Sequence, residues 1–235
     1  MNTKTLQDYE PELKRPPLIP TGAALPASPT GLVDRLSSWP VVIVSGVVFA
    51  AFAAVFFATN LAFSIPHVEE ACNAPALDMR TYSTSDEVHQ FLDDCGVAGR
   101  QAYRNLQMAD LFYPAVSGLF FTSALALAIS RLWPKRASLR WLALTAAVGS
   151  GFDYLENLFA WRALSAFPNK AATDSLLGLA SLAKTVSSWL AGSMLLAAVS
   201  LLALRLVKTR LTGRRQQRTT DAGPMSDTGS SRPLD

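Results

Sequence analysis

Half of the chain's 235 residues are hydrophobic, only 17% are charged, and the formal net charge is +3. Soluble domains average about 25% charged residues, so this low charged fraction is typical of a membrane protein. One helical bundle takes up most of a chain of this length, which leaves no room for a second sizeable domain. The sequence contains no zinc, haem, P-loop or dinucleotide motif and names no cofactor, and nothing in its charge pattern indicates nucleic-acid binding.

Four apolar stretches follow a polar, proline-rich N-terminal segment. Residues 1–38 predict a disordered cytoplasmic tail. A helix needs about 20 apolar residues to cross the hydrocarbon layer, and each stretch meets that length. The predicted transmembrane domain covers residues 39–208, with spans at about 41–63, 106–129, 141–161 and 176–207. Residues 209–235 are basic at first and then rich in small polar residues, which predicts a second disordered cytoplasmic tail.

The long loop between the first two spans, residues 64–105, carries helical patterns of its own. Apolar residues recur at helical spacing after Ser83 and Ser85, either of which fits as an N-cap, and Gly96 is a natural stop. A second helix is expected to begin near Ala98 and to run straight into the second span. The loop is therefore predicted to form a short helical cap over one mouth of the bundle.

The chain's two cysteines, Cys72 and Cys95, both lie in this loop. An oxidising compartment favours a disulfide between them. Closing a loop of this length stabilises a fold by ~3 kcal/mol in the chain-entropy model. We therefore predict a Cys72–Cys95 disulfide on the outer side of the membrane.

The charges of the loops predict the orientation of the spans. The connection between the second and third spans is basic and has no acid, as is the stretch after the fourth span, whereas the loop over residues 64–105 is acidic. The positive-inside rule therefore places both termini and the middle connection in the cytoplasm. The basic residues are Arg131, Lys135, Arg136 and Arg140 in the connection, and Arg205, Lys208, Arg210, Arg214, Arg215 and Arg218 after the fourth span.

Three of the predicted spans carry charged or strongly polar residues at a similar depth. On the second span, Asp110, Tyr113 and Pro114 share one face, and Pro114 should break the helix because it deprives the Asp110 carbonyl of its usual partner. The other polar residues are Asp153, Glu156 and Asn157 on the third span and Ser181 and Lys184 on the fourth.

Charges at membrane depth cost ~2.5–3.5 kcal/mol each on insertion scales and usually face the interior of a bundle. We expect Lys184 to pair with Glu156 or Asp153, which leaves carboxylates in excess. We interpret Asp110, Tyr113, Asp153, Glu156, Asn157 and Lys184 as a ligand-binding site. Two alternatives remain open: polar bridging between helices without a ligand, and an oxygen-ligand site for Mg²⁺, Ca²⁺ or Mn²⁺ built from Asp110, Asp153 and Glu156.

Three segments resemble a pattern found in small four-span membrane proteins of uncharacterised function. They are Gly99-Arg-Gln-Ala-Tyr103, Asp110-Leu-Phe-Tyr-Pro114 and Asp153-Tyr-Leu-Glu-Asn157, and the resemblance covers about residues 80–205. In architecture and residue type, though not motif by motif, the chain is also similar to the sterol-isomerase and sigma-2-receptor-like bundles. That likeness implies intramembrane acids and an asparagine that hold a cationic ligand or intermediate.

The sequence thus predicts an all-α integral membrane four-helix bundle with a short extracytoplasmic helical cap, in the cell membrane or an endomembrane. The expected function is binding of a small amphipathic, lipid-like molecule or a cation in a polar outer-leaflet pocket, with proton transfer as a further option. The expected partners are membrane lipid and such a ligand, and a homo-oligomer or a membrane partner remains open. The alternative function is a structural or assembly subunit that packs against other membrane proteins.

Overall fold

The computed structural model describes residues 29–221, and these residues form helices, turns and loops without a β-strand. The predicted tails fall in part outside this range, at 1–28 and 222–235. The helices are α1 (Pro29–Leu36), α2 (Trp39–Ala58), α3 (Ile65–Cys72), α4 (Ser85–Asp94), α5 (Gly96–Ala109), α6 (Tyr113–Leu132), α7 (Leu144–Ala166) and α8 (Asp174–Asp221), with short 3₁₀ segments at Leu77–Met79 and Ala137–Ala143.

Three helical stretches of the described chain are long and apolar enough to cross a membrane: Trp39–Ala58, Gly96–Leu132 and Asp174–Arg210. The all-helical prediction is confirmed, and the chain has the helices of a membrane protein. The predicted third span falls mostly on α7, which is not among these stretches because Asp153, Glu156 and Asn157 lower its hydropathy.

Both predicted tails differ from the structure near the bundle. Residues of the predicted N-terminal tail form α1, whose Val33 is buried against α6 together with Leu125 and Ile129. Likewise, α8 continues as a helix through Asp221 instead of ending near residue 207. At the N-terminal side, the difference arises because Val33 makes an apolar contact with α6, and the proline-rich composition of the segment does not indicate such a contact.

Among the four long helices, α6 is the one that packs on all three others. α7 packs along α8, α6 packs on both, and α2 packs chiefly on α6. Only 11% of the apolar window of α2 and of α8 is buried, against 50% for the stretch that contains α6. α2 and α8 therefore turn most of their apolar surface outward, where a bilayer would cover it.

The loop of residues 64–105 folds into the predicted cap, which consists of α3, the Leu77–Met79 turn, α4 and α5. Cys72 and Cys95 form the predicted disulfide, which ties α3 to the junction of α4 and α5. The N-cap of α4 is Thr84, not Ser83 or Ser85 as predicted, because Thr84 and Glu87 bond each other's backbone N–H groups in a capping box. Gly96 has a positive φ of 59° and ends α4 as predicted.

The cap rests on α8 through a close backbone contact at Gly178. A Cβ atom added to Gly178 would lie 2.1 Å from the Ser83 carbonyl oxygen, so only glycine allows this approach. An exposed ion pair between Lys170 and Asp86 also joins the cap to the turn before α8. The cap is thus held against the bundle.

The second span does not run straight on from the cap helix, which corrects the prediction. The chain leaves the helix after Ala109 and resumes it at Tyr113, so that α5 and α6 are separate helices. The break falls where Pro114 removes the hydrogen bond to the Asp110 carbonyl, as the sequence predicts. Two side chains of α7 replace the lost bonds: Asn157 Nδ2 donates to the Asp110 carbonyl (3.4 Å) and Tyr154 Oη donates to the Leu111 carbonyl (3.0 Å).

Two apolar cores lie at opposite ends of the bundle. One fills the cap and the adjoining helix ends, with Val68, Phe91 and Leu106 fully buried. The other lies at the end near α1, where Leu125 and Ala198 are buried. Between the cores, the helices meet through small and polar residues, and this layer contains the candidate site.

Candidate functional site

A buried ion-pair cluster joins α7 to α8. Lys184 Nζ contacts the Glu156 carboxylate directly and lies 3.1 Å from the Asp153 carboxylate. The side chains of Lys184, Asp153 and Glu156 are 18%, 11% and 0% exposed. Ser181 Oγ donates to the second oxygen of Glu156 at 2.5 Å. Lys184 therefore pairs with both carboxylates that the sequence offered as alternatives, and Glu156 is fully enclosed.

The cap supplies a third carboxylate, from Asp78 in the Leu77–Met79 turn. Tyr103 Oη and Gln107 Nε2 of α5 donate to the Asp78 carboxylate at 2.8–3.0 Å. Lys184 Nζ lies 3.4 Å from the backbone carbonyl oxygen of Asp78. Burial raises the pKa of Asp78 above its ordinary value of 3.8, while the positive charge of Lys184 acts in the opposite direction. The cap thus completes the cluster as well as covering it.

A fourth carboxylate belongs to Asp110, at the break between α5 and α6. It is 8% exposed and forms no ion pair within the described residues. Asp78, Asp110, Asp153 and Lys184 together border a small cavity of about 50 Å³. A space of this size holds one or two water molecules or a compact donor group.

The cluster as a whole is richer in acceptors than in donors. The cluster contains four carboxylates, and within the described residues Lys184 forms ion pairs with two of them, Asp153 and Glu156. Two further buried acceptors, Gln107 Oε1 and Asn157 Oδ1, make no hydrogen bond to another described atom. Buried acceptors are costly when unpaired, so the site favours an occupant that donates hydrogen bonds or carries positive charge.

A larger cavity of about 330 Å³ extends from this cluster between α2, α6, α7 and α8. Its volume lies at the lower end of the range for small-molecule sites. Asp78, Asp153 and Lys184 form its polar end, and the remaining lining residues are aromatic, small or hydroxylated. They are Phe49, Phe57, Tyr113, Ser117, Gly118, Phe121, Ala146, Gly149, Ser150, Ser188, Ala191 and Gly192.

The structure brings the six predicted site residues to one layer but gives them different positions. Asp153, Lys184 and Tyr113 line the larger cavity, and Tyr113 packs on Phe56 of α2 with ring centroids 5.7 Å apart. Asp110 borders only the smaller cavity. Glu156 and Asn157 stand behind the wall, where Glu156 holds Lys184 and Asn157 holds the broken backbone at Asp110.

Three residues of the cluster, Asp78, Tyr103 and Gln107, lie outside the polar layer that the sequence predicted. Tyr103 and Gln107 share a helical face with Asp110, at i, i+4 and i+7, and this spacing was a readable signal. Asp78 gives no such signal, since it lies in an irregular turn among several other acids of the loop.

The donor set does not match a metal centre. Within residues 29–221, no three His, Cys, Asp or Glu side chains approach closely enough to hold a metal ion. The carboxylates of the cluster instead lie around Lys184 and the two cavities.

His67, at the start of the cap, contacts Asn60 (3.1 Å), whose amide donates to Glu70 (3.0 Å).

Protein-family models, curated proteins and solved structures were all compared with this chain, and none of them matches it.

Proposed function

We propose that this chain is a four-span membrane protein that binds a small amphipathic molecule with a protonated amine in the cavity between α2, α6, α7 and α8. The amine lies at the Asp153 end of the cavity and the apolar part lies along the aromatic wall of α2 and α6. The observation that carries the proposal is the shape and charge of the cavity: an apolar volume of about 330 Å³ that ends on an acid-rich cluster.

The excess of carboxylates supports a cationic head group. Lys184 neutralises one charge of the cluster, and Glu156 is the acid that it contacts most closely. Asp78 and Asp153 both line the cavity, but the Asp78 carboxylate already accepts hydrogen bonds from Tyr103 and Gln107, so Asp153 is the carboxylate to which we assign the ligand. A protonated amine at Asp153 gains a charge-assisted hydrogen bond in a site with little competing water. The same carboxylate is placed to exchange a proton with the bound group.

The fourth span of this proposal is α7. It is too polar to count as a span by its own composition, but its polar residues face α6 and α8 and the cavity. Buried pairing of this kind is how membrane bundles accommodate ionisable residues.

Two contacts at the end of the bundle opposite the cap support a single orientation. Arg140 pairs with Asp34 of α1, and Arg205 of α8 donates to the Leu132 carbonyl at 2.8 Å. The basic connection, α1 and the basic part of α8 therefore lie at one end, which the positive-inside rule assigns to the cytoplasm. The disulfide-bonded cap then lies on the outer or lumenal side.

The test compares three probes of equal chain length, octylamine, octanol and octanoate, on the protein in nanodiscs of neutral phospholipid. Native mass spectrometry counts the bound probe in wild type and in Asp153→Asn. We expect octylamine to bind wild type better than the other two probes. Loss of a charge-assisted hydrogen bond worth roughly 1.5–3 kcal/mol should weaken its binding to Asp153→Asn by about tenfold or more.

Asp94→Asn is the matched control, because Asp94 is an exposed carboxylate of α4 that does not line the cavity. This variant should bind octylamine as wild type does. Equal binding of octylamine and octanoate, or unchanged binding in Asp153→Asn, would show that the cluster does not select a cation. Failure of every probe, together with a discrete heteromeric complex on native gels, would favour the assembly-subunit function instead.

A further inference from the structure

The bundle is open along one side, between α2 and α8. α2 packs on α6, and α8 packs on α6 and α7, but α2 and α8 make little contact with each other. The cavity nevertheless has lining residues from both helices: Phe49 and Phe57 from α2, and Ser188 and Gly192 from α8. The cavity therefore occupies the gap between these two helices.

The exposed surface of α8 carries a groove that adjoins the cavity. This groove, of about 310 Å³, shares Ser188 and Gly192 with the cavity and extends along Trp189, Ser193 and Leu196. Trp189 is 74% exposed and Leu196 is 70% exposed. Both belong to an apolar stretch long enough to cross a membrane. The groove thus leads from the site to the surface that lipid would cover.

The opposite side of the cavity is closed. A groove between α6 and α7 approaches the cavity there and shares Gly118 and Ser150 with it. At this point the helices touch, since a Cβ atom on Gly118 would lie 2.3 Å from Ser150 Oγ. The small residues of this contact form a wall between the cavity and the outer groove. On the α8 side, Gly192 is shared by the cavity and the groove, and an added Cβ there would have no neighbour within 4 Å, so no such contact separates the two.

We infer that the gap between α2 and α8 is a lateral portal through which the hydrocarbon chain of a membrane-resident long-chain amine extends from the cavity into the bilayer. This inference rests on the proposed function, and it names the ligand class as a lipid-like amphiphile in place of a short, water-soluble amine.

The spacing along α8 fits this arrangement. Lys184 marks the polar end, and Gly192 and Leu196 lie about 12 Å and 18 Å further along the helix. A head group held at Asp153 therefore leaves room for a short chain inside the cavity, whereas a long chain has to leave through the gap. The outward path is lined by apolar and small side chains, so the exiting chain remains in an apolar environment.

Gly192→Leu tests the portal directly. A Cβ atom at Gly192 has no neighbour within 4 Å, so the leucine enters open space and should not disturb folding. Gly151→Leu is the matched control, because Gly151 also has no neighbour within 4 Å and lines the groove on the opposite side. Octylamine and octadecylamine are the probes, and native mass spectrometry from nanodiscs gives the bound fraction of each.

We expect wild type and Gly151→Leu to bind both amines. Because Gly192 also lines the cavity, the informative quantity is the ratio of the two affinities: relative to wild type, Gly192→Leu should weaken octadecylamine binding about tenfold more than octylamine binding, a difference of roughly 1.4 kcal/mol. The portal would be overturned if octadecylamine bound Gly192→Leu as it binds wild type, or if both amines were weakened by the same factor. In either case, octylamine binding to wild type would still support the site. Failure of wild type to bind either amine would reject the site, and the portal with it.

Discussion

The cluster should respond unequally to removal of the two partners of its closest ion pair, Lys184 and Glu156. Lys184→Met leaves Glu156, whose side chain is 0% exposed, together with Asp153 and without a cation. Glu156→Gln instead leaves Lys184 paired with Asp153 at 3.1 Å and keeps an acceptor for Ser181. The lysine variant should therefore be the less stable of the two, although each substitution breaks the same ion pair.

Breaking a buried pair by removing one partner costs roughly 3–5 kcal/mol, since the remaining charge is buried or has to take up a proton. For a chain of this size, each kcal/mol shifts the unfolding midpoint by about 2–4 °C, so Lys184→Met should lower Tm by roughly 6–20 °C. Glu156→Gln loses a hydrogen-bonded charge whose partner is still paired, and about 1–3 kcal/mol is the expected cost.

Circular dichroism of the protein in nanodiscs, followed against temperature, gives the unfolding midpoints of wild type, Lys184→Met and Glu156→Gln. The double variant Glu156→Gln/Lys184→Met is the informative control, because it removes the buried carboxylate that Lys184→Met leaves unpaired. It should be more stable than Lys184→Met alone. A Tm of Lys184→Met within about 2 °C of the wild-type Tm would contradict a buried ion pair here, because such a shift corresponds to about 1 kcal/mol or less.

Two other features give simple tests of how the cap is held. Gly178→Ala should destabilise the protein by about 1–3 kcal/mol because the added Cβ meets the Ser83 carbonyl. Gly151→Ala is the control and should be neutral or slightly stabilising, because nothing lies within 4 Å of its added Cβ. Equal thermal unfolding midpoints for the two variants would show that the cap does not rest on α8. Replacing both Cys72 and Cys95 by serine should lower the free energy of unfolding by ~3 kcal/mol. A thiol reductant should lower the Tm of wild type and leave the Tm of the double variant unchanged. An equal reductant effect on both proteins would show that the reductant does not act through this disulfide.

Much of the helical architecture is readable from local patterns. Trp39–Ala58 is recognisable because it is an uninterrupted apolar run, and the ends of α4 are readable to within a residue from capping residues and Gly96. The break before α6 also follows from one residue, Pro114. The choice of Thr84 as the N-cap was not readable, because three neighbouring hydroxyl residues compete for that position and backbone geometry decides among them.

The site was readable in part. Spacing along single helices places Asp153 beside Glu156, and Ser181 beside Lys184, on common faces, which is why those residues could be predicted as one layer. The same spacing does not tell Asp153, which faces the cavity, from Glu156, which lies behind it. That distinction depends on how α7 is rotated against α8, and no pattern within α7 reports the rotation.

Composition and periodicity by themselves determined that this chain is helical, apolar enough for a membrane, and marked by acids at one level of its helices. Those properties depend on residue type and on spacing within a segment. Only the tertiary structure decided that Asp78 of the cap joins the cluster and that the cavity opens between α2 and α8. These features arise between segments far apart in the chain, where helix packing, and not local sequence, sets which atoms meet.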